Sequence, residues 1–73
     1  MIKQKRTSSR MRIFWSNMLA EQVQWIARCG GDLAGYIDSY HGKYKRTVED
    51  ATAIYQADIA ELERIQNRVN SYA

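Results

Sequence analysis

Hydrophobic residues recur at intervals of three and four along two long stretches of the chain, with polar residues between them. This spacing gathers apolar side chains on one face of a helix, whereas a strand would show strict alternation. The pattern predicts helices over about residues 9–29 and 47–72, with a shorter one over about 33–41. The predicted apolar face of the first helix comprises Met11, Phe14, Trp15, Met18, Leu19, Trp25, Ile26 and Cys29.

Residues that cap or stop helices separate the three segments. Serine, threonine and aspartate side chains accept hydrogen bonds from first-turn N–H groups, and glycine takes the left-handed conformation that ends a helix. We expect these roles at Ser8 or Ser9, Gly30, Gly31, Asp32, Gly42 and Thr47. Residues 1–8 lack apolar periodicity and are predicted to form a mobile basic tail, which leaves residues 9–73 as a single helical domain.

The expected fold class is all-α: an antiparallel helical hairpin with a short connecting helix. A chain of 73 residues forms only a thin core. The two tryptophans, three methionines and five tyrosines are more than the interface between two helices, the seam of the hairpin, should bury. We therefore expect a homodimer that forms a four-helix bundle. The structural alternative is a compact three-helix monomer in which the middle helix closes the seam.

One polar residue falls near the centre of each predicted apolar face. Gln22 interrupts the face of the first helix, and Asp58 interrupts that of the last. A buried carboxylate without a partner is costly, so Asp58 is expected to be paired or hydrated. We interpret the two residues as a polar layer that sets helix register and oligomeric state. The functional alternative is a ligand or metal pocket built around Asp58.

Basic residues form two clusters in a chain with a net charge of +3, while the last helix is acidic. In the second cluster the cations interleave with tyrosines. Aromatic rings can stack on nucleic-acid bases and cations attract phosphates, so nucleic-acid binding is the alternative function. The candidate nucleic-acid contacts are Lys3, Lys5, Arg6 and Arg10 in and beside the tail, and Lys43, Tyr44, Lys45 and Arg46 within the Tyr40–Arg46 segment.

Few residues suit catalysis or metal binding. Cys29 and His41 are the only cysteine and histidine, and Cys29 lies on an apolar face, where it is expected to be a buried hydrophobe. We therefore expect no enzyme activity, no metal site and no cofactor. A single cysteine forms no internal disulfide, which favours the cytoplasm. An organelle-targeting role for the basic start is the alternative.

The function expected from the sequence is macromolecular interaction or assembly by a small non-enzymatic helical protein that self-associates. The basic, aromatic first helix would also suit a membrane surface, but the hairpin needs the same apolar face, so a membrane partner is not expected. Exposed aromatic and aliphatic side chains make protein interfaces. The candidate protein contacts are Ile13, Trp15, Trp25, Tyr36 and Tyr40.

Overall fold

The computed structural model describes the backbone of residues 2–72 and the side chains of residues 9–72. This part of the chain forms helices joined by short turns and contains no strand. The expected all-α class is confirmed. In chain order the elements are α1 (Ile2–Cys29), α2 (Leu33–Tyr36), a π-helical segment (Ile37–Lys43) and α3 (Val48–Ser71).

Helices α1 and α3 pack against each other in opposite directions. Trp25, near the end of α1, contacts Asp58 in the middle of α3. Trp15 lies earlier in α1 and contacts Arg68, later in α3. The predicted antiparallel hairpin is thus confirmed, with extents of 53 × 16 × 13 Å. Dimerisation into a four-helix bundle stays a prediction.

The main hydrophobic core lies at the connected end of the hairpin. Ile26, Cys29 and Tyr36 are buried there, because α2 and the π-helical segment cover this end of the α1–α3 seam. Phe14 and Trp25, which the spacing assigned to the apolar face of α1, keep about half of their surface exposed. The side chains packed around this core are those of Tyr40, Ile54, Tyr55, Ile59 and Leu62.

Two of the predicted caps form as the sequence indicates. The Asp32 carboxylate accepts a 2.8 Å hydrogen bond from the Gly35 N–H at the start of α2. The Thr47 hydroxyl accepts a 3.0 Å bond from the Asp50 N–H at the start of α3. These bonds satisfy first-turn donors that have no partner within the helix.

Two glycines end α1, and a third lets the chain turn back on it. Gly30 and Gly31 have φ angles of +141° and +86°, which L side chains rarely adopt. Gly35 packs against the backbone of Gly30 so closely that a Cβ on either residue would overlap the other's backbone. The predicted stop at Gly30 and Gly31 is confirmed, whereas the spacing gave no signal for Gly35.

The predicted boundaries differ from the observed ones at two places. Helix α1 begins N-terminal to Ser8 and Ser9, the expected caps. The mobility of residues 1–8 stays a prediction, and their side chains lie outside the described residues. The middle helix changes to π geometry at Ile37 and passes through Gly42 to end at Lys43. Lys45 then adopts a left-handed φ of 61° before α3.

Candidate functional site

Asp58 of α3 is linked to α1 and α2 by hydrogen bonds that two of its oxygen atoms accept. The Tyr36 hydroxyl donates to Oδ2 at 2.8 Å, and the Trp25 indole Nε1 donates to the same atom at 3.1 Å. The Gln22 side-chain amide donates to the Asp58 backbone carbonyl at 3.0 Å. We call Gln22, Trp25, Tyr36 and Asp58 the polar junction. It links α1, the end of α2 and α3 within one chain.

The structure therefore brings together the two polar residues that the sequence placed at the centres of the helix faces. Trp25 and Tyr36, which complete the polar junction, were expected to contact another protein. Both have an apolar ring and one polar group, which usually finds a hydrogen-bond partner when buried. Trp25 also lies within one turn of Gln22 on α1. These two features of the sequence are a signal that would have favoured hydrogen bonds from Trp25 and Tyr36 to Asp58.

The phenols near the junction are held in their protonated form. Burial, followed by the hydrogen bond to Asp58 and its charge, raises the pKa of Tyr36 far above its usual range. The Tyr40 hydroxyl lies 3.5 Å from the Cys29 sulfur. That hydrogen bond, together with burial, raises the pKa of Tyr40 to about 12. Neither group is suited to act as a base near neutral pH.

Four tyrosine rings form a continuous row from the core to the surface. The Tyr36 ring lies 5.0 Å from that of Tyr55 and 5.9 Å from that of Tyr40, centroid to centroid. Tyr40 in turn lies 5.8 Å from Tyr44. The row begins at the half-buried Tyr55, passes through Tyr36, which is fully buried, and ends at Tyr44, which is 59% exposed. Tyr44 thus presents an aromatic surface beside the basic cluster, as the sequence suggested.

An open cleft of about 560 Å³ lies between the end of α1 and the π-helical segment. Its volume is in the range of small-ligand sites, about 300–1,000 Å³. Two arginines, Arg28 and Arg46, line the cleft. The one ion pair among the described side chains joins Glu61 and Arg64, so neither cleft arginine pairs with a described carboxylate. We call this site the basic-aromatic cleft; its lining includes Trp25, Arg28, Cys29, Tyr40, Tyr44 and Arg46.

The connection that carries Arg46 is closed by His41. Nδ1 of His41 lies 2.7 Å from the Arg46 carbonyl oxygen. Because a carbonyl only accepts, Nδ1 must carry the proton in this contact. The Arg46 N–H also donates to the Tyr40 carbonyl at 2.8 Å. These bonds hold the turn around Lys45 and set Arg46 at the edge of the cleft.

The candidate nucleic-acid contacts do not form one patch. Lys43, Tyr44, Lys45 and Arg46 are exposed at the connection. Arg10 is exposed near the other end of the hairpin, about 28 Å from Cys29 along α1 at 1.5 Å per residue. The predicted contacts Lys3, Lys5 and Arg6 lie outside the described side chains.

The candidate protein contacts differ in the fraction of their surface that is exposed. Ile13 is 62% exposed, but Tyr36 has no exposed surface to offer a partner. Trp15 is half-buried, and the guanidinium carbons of Arg64 and Arg68 lie 5.8 and 5.4 Å from its ring centroid. Tyr40 is also half-buried. Trp25 is 50% exposed, although Asp58 holds its indole nitrogen.

A second face of α1, turned away from α3, carries apolar and small residues at alternating intervals of three and four. Ile13 and Val23 are its large members and are both more than half exposed. Ile13 is the one residue of this face that the sequence predicted as a protein contact; the three-and-four spacing of the other members is a signal that would have identified them. We call this face the outer stripe, and it consists of Ile13, Ser16, Ala20, Val23 and Ala27.

The chain was compared with protein-family models, curated proteins and solved structures, and it matches none of them. Within the described residues, no three histidine, cysteine or acidic side chains cluster as a metal site would require. The helices in that same part of the chain are all too short or too polar to cross a membrane.

Proposed function

We propose that the protein is a non-enzymatic assembly module that pairs with a second copy of itself through the outer stripe of α1. One observation carries the proposal: among the described side chains, the large hydrophobic ones exposed at the surface outnumber the buried ones. The large aliphatic and aromatic side chains buried in the described part of the chain are those of Ile26, Tyr36 and Ile65. The exposed set is Ile13, Phe14, Val23, Trp25, Leu33, Tyr44 and Val48.

The outer stripe is complementary to itself in an antiparallel arrangement. If two α1 helices cross at Ala20, Ile13 of one copy faces Ala27 of the other, so a large residue meets a small one. Val23 likewise faces Ser16. Alternating intervals of three and four also place these residues on one seam, as in helical pairs that pack knobs into holes.

The residues beside the stripe favour the same arrangement. Asn17 and Gln24 are exposed amides on one side of it. The antiparallel crossing brings Asn17 of one copy next to Gln24 of the other, where two amides can exchange hydrogen bonds. The exposed apolar residues opposite the buried side of α3 are the small Ala53, Ala57 and Ala60, and the larger exposed Val48 stands apart from them as the first residue of the helix, so α1 supplies the contact.

Sedimentation equilibrium tests this proposal. We expect the wild-type protein to reach twice its 8.5 kDa mass at micromolar concentration, because the stripe spans two heptads. The variants Ile13→Glu and Val23→Glu should be monomeric with unchanged helix content. Ala60→Glu, on the outward face of α3, is the matched control and should remain dimeric. A wild-type mass of one chain at these concentrations would refute the proposal.

Cysteine cross-linking tests the crossing point itself. A disulfide should form between two copies of the Ala20→Cys variant, because the two-fold axis passes near that residue. Ala60→Cys, which is also exposed but lies on α3, should not cross-link. The native Cys29 is buried and should contribute no cross-link in either variant. We place this assembly in the cytoplasm, where a buried free thiol is usual.

A second candidate function, nucleic-acid binding, is favoured by the basic-aromatic cleft. Exposed Tyr44 and Trp25 lie in it beside Arg28 and Arg46. Binding to phosphates releases counterions, so affinity for nucleic acid should fall steeply with salt. Binding that is absent, or independent of salt between 50 and 200 mM, would exclude this function.

A further inference from the structure

We propose that the basic-aromatic cleft binds one nucleotide of a single-stranded nucleic acid, with its unpaired base against the exposed aromatic rings and its phosphate between Arg28 and Arg46. This inference rests on the second candidate function and is independent of self-association.

Two exposed rings are available for the base. Tyr44 is 59% exposed and Trp25 is 50% exposed, and both line the cleft. Tyr40 supports Tyr44 from the core side at a centroid distance of 5.8 Å. Trp25 is oriented by its hydrogen bond to Asp58. Both rings are thus held in place before a ligand arrives, which lowers the entropy cost of stacking a base on them.

The charges around the rings suit a phosphate. The Arg28 and Arg46 side chains line the cleft and form no ion pair with another described side chain. A guanidinium binds phosphate oxygens through two parallel hydrogen bonds. Lys43 places its Nζ 5.6 Å from the centroid of the Tyr44 ring. It can leave the ring for a phosphate when a base arrives.

A single strand fits this site better than a duplex. In duplex DNA the bases are stacked on one another, so an aromatic ring cannot reach their faces without unstacking them. The described basic residues that line the cleft also lie at the connected end of the hairpin, Arg28 in the last turn of α1 and Arg46 just before α3. The site is therefore suited to the unpaired bases of a loop, an end or an extended strand.

The test measures the affinity of the full chain for a fluorescein-labelled oligothymidylate of ten nucleotides. In the variant Arg28→Gln/Arg46→Gln we expect the dissociation constant to rise about tenfold or more. The slope of log affinity against log salt should fall by about 0.7, which corresponds to the one single-strand phosphate held between the two arginines. Tyr44→Leu should weaken binding by a similar factor while leaving that slope unchanged, because it removes stacking and no charge.

The matched control is Arg10→Gln/Arg12→Gln, which removes the same charge at the other end of α1. It should bind more tightly than the cleft variant. If the control loses affinity and the cleft variant does not, the second candidate function stands and the cleft assignment is wrong. If the wild-type chain does not bind the oligonucleotide, both fail.

Two further arms define the ligand. A ten-base-pair duplex should bind more weakly than the single strand, and tighter duplex binding would overturn the single-strand assignment. Thymidine 5′-monophosphate should quench tryptophan fluorescence in the wild type but not in Trp25→Phe, since Trp15 lies away from the cleft. If the mononucleotide bound as tightly as the oligonucleotide, a free nucleotide would be the ligand and the polymer assignment would be wrong.

Discussion

The Tyr36 hydroxyl donates a 2.8 Å hydrogen bond to the Asp58 carboxylate, and this contact fastens the end of α2 to the middle of α3. Tyr36 is fully buried, so water cannot replace the carboxylate as its partner. The bond therefore determines where the connection crosses the seam. It also turns a polar interruption of the α3 face into a specific link between helices.

Replacing Asp58 should test the cost of breaking this link. Asp58→Leu leaves the Tyr36 hydroxyl and the Trp25 indole nitrogen without their acceptor, so we expect unfolding by urea to require about 2–4 kcal/mol less free energy. Tyr36→Phe alone should cost about 1 kcal/mol. Glu63→Leu, an exposed change on the same helix, is the control and should remain within about 0.5 kcal/mol of the wild type.

The double variant Tyr36→Phe/Asp58→Leu makes that test specific. With the hydroxyl absent, the loss of the carboxylate should cost less, so the double variant should be more stable than the sum of the single losses predicts. Strict additivity of the two changes would show that the bond between Tyr36 and Asp58 does not contribute to stability.

Gly35 should tolerate no side chain. Because a Cβ at this position overlaps the backbone of Gly30, Gly35→Ala should cost about 2 kcal/mol or more and lower the thermal midpoint. Gly42→Ala is the control: its Cβ would come no closer than 3.7 Å to the Asp38 carboxylate. Thermal unfolding followed by circular dichroism distinguishes them, and equal midpoints would contradict the close packing of α1 on α2.

The N-cap of α3 should contribute measurably to stability. Thr47→Ala removes the acceptor of the Asp50 N–H, and we expect a loss of about 1 kcal/mol. Thr52→Ala removes a hydroxyl that donates to the Val48 carbonyl inside the same helix, a contact that adds little to helix stability. In urea unfolding, Thr52→Ala should lower the free energy of unfolding by at most about half as much as Thr47→Ala does. If Thr52→Ala were the more damaging change, the capping role of Thr47 would be wrong.

Stability should fall in alkaline solution because of the protonated tyrosines. In the unfolded chain a phenol has a pKa near 10, whereas in the folded protein the pKa of Tyr40 is about 12 and that of Tyr36 is also raised. Below about pH 10 both states keep these protons. Between about pH 10 and 12 the unfolded state releases protons that the folded state retains, so the free energy of unfolding decreases as pH rises.

Tyr40→Phe should reduce this alkaline dependence, because phenylalanine does not titrate. Urea unfolding between pH 8 and 11.5 gives the slope for each protein. If the wild type and the variant had the same slope above pH 10, the raised pKa of Tyr40 would not be coupled to folding.

The amino-acid sequence by itself determined the helices, several of their ends and the positions of their polar interruptions. Helical periodicity and capping depend on residues only a few positions apart, so Thr47, Asp32 and the pair Gly30 and Gly31 could be interpreted without a partner. Tertiary structure alone decided that Tyr36 reaches Asp58. The close approach of Gly30 and Gly35 packs α2 against the end of α1 beside this contact. Tyr36 and Asp58 are 22 residues apart in the chain, and a contact over that separation depends on how the segments pack together, which periodicity does not encode.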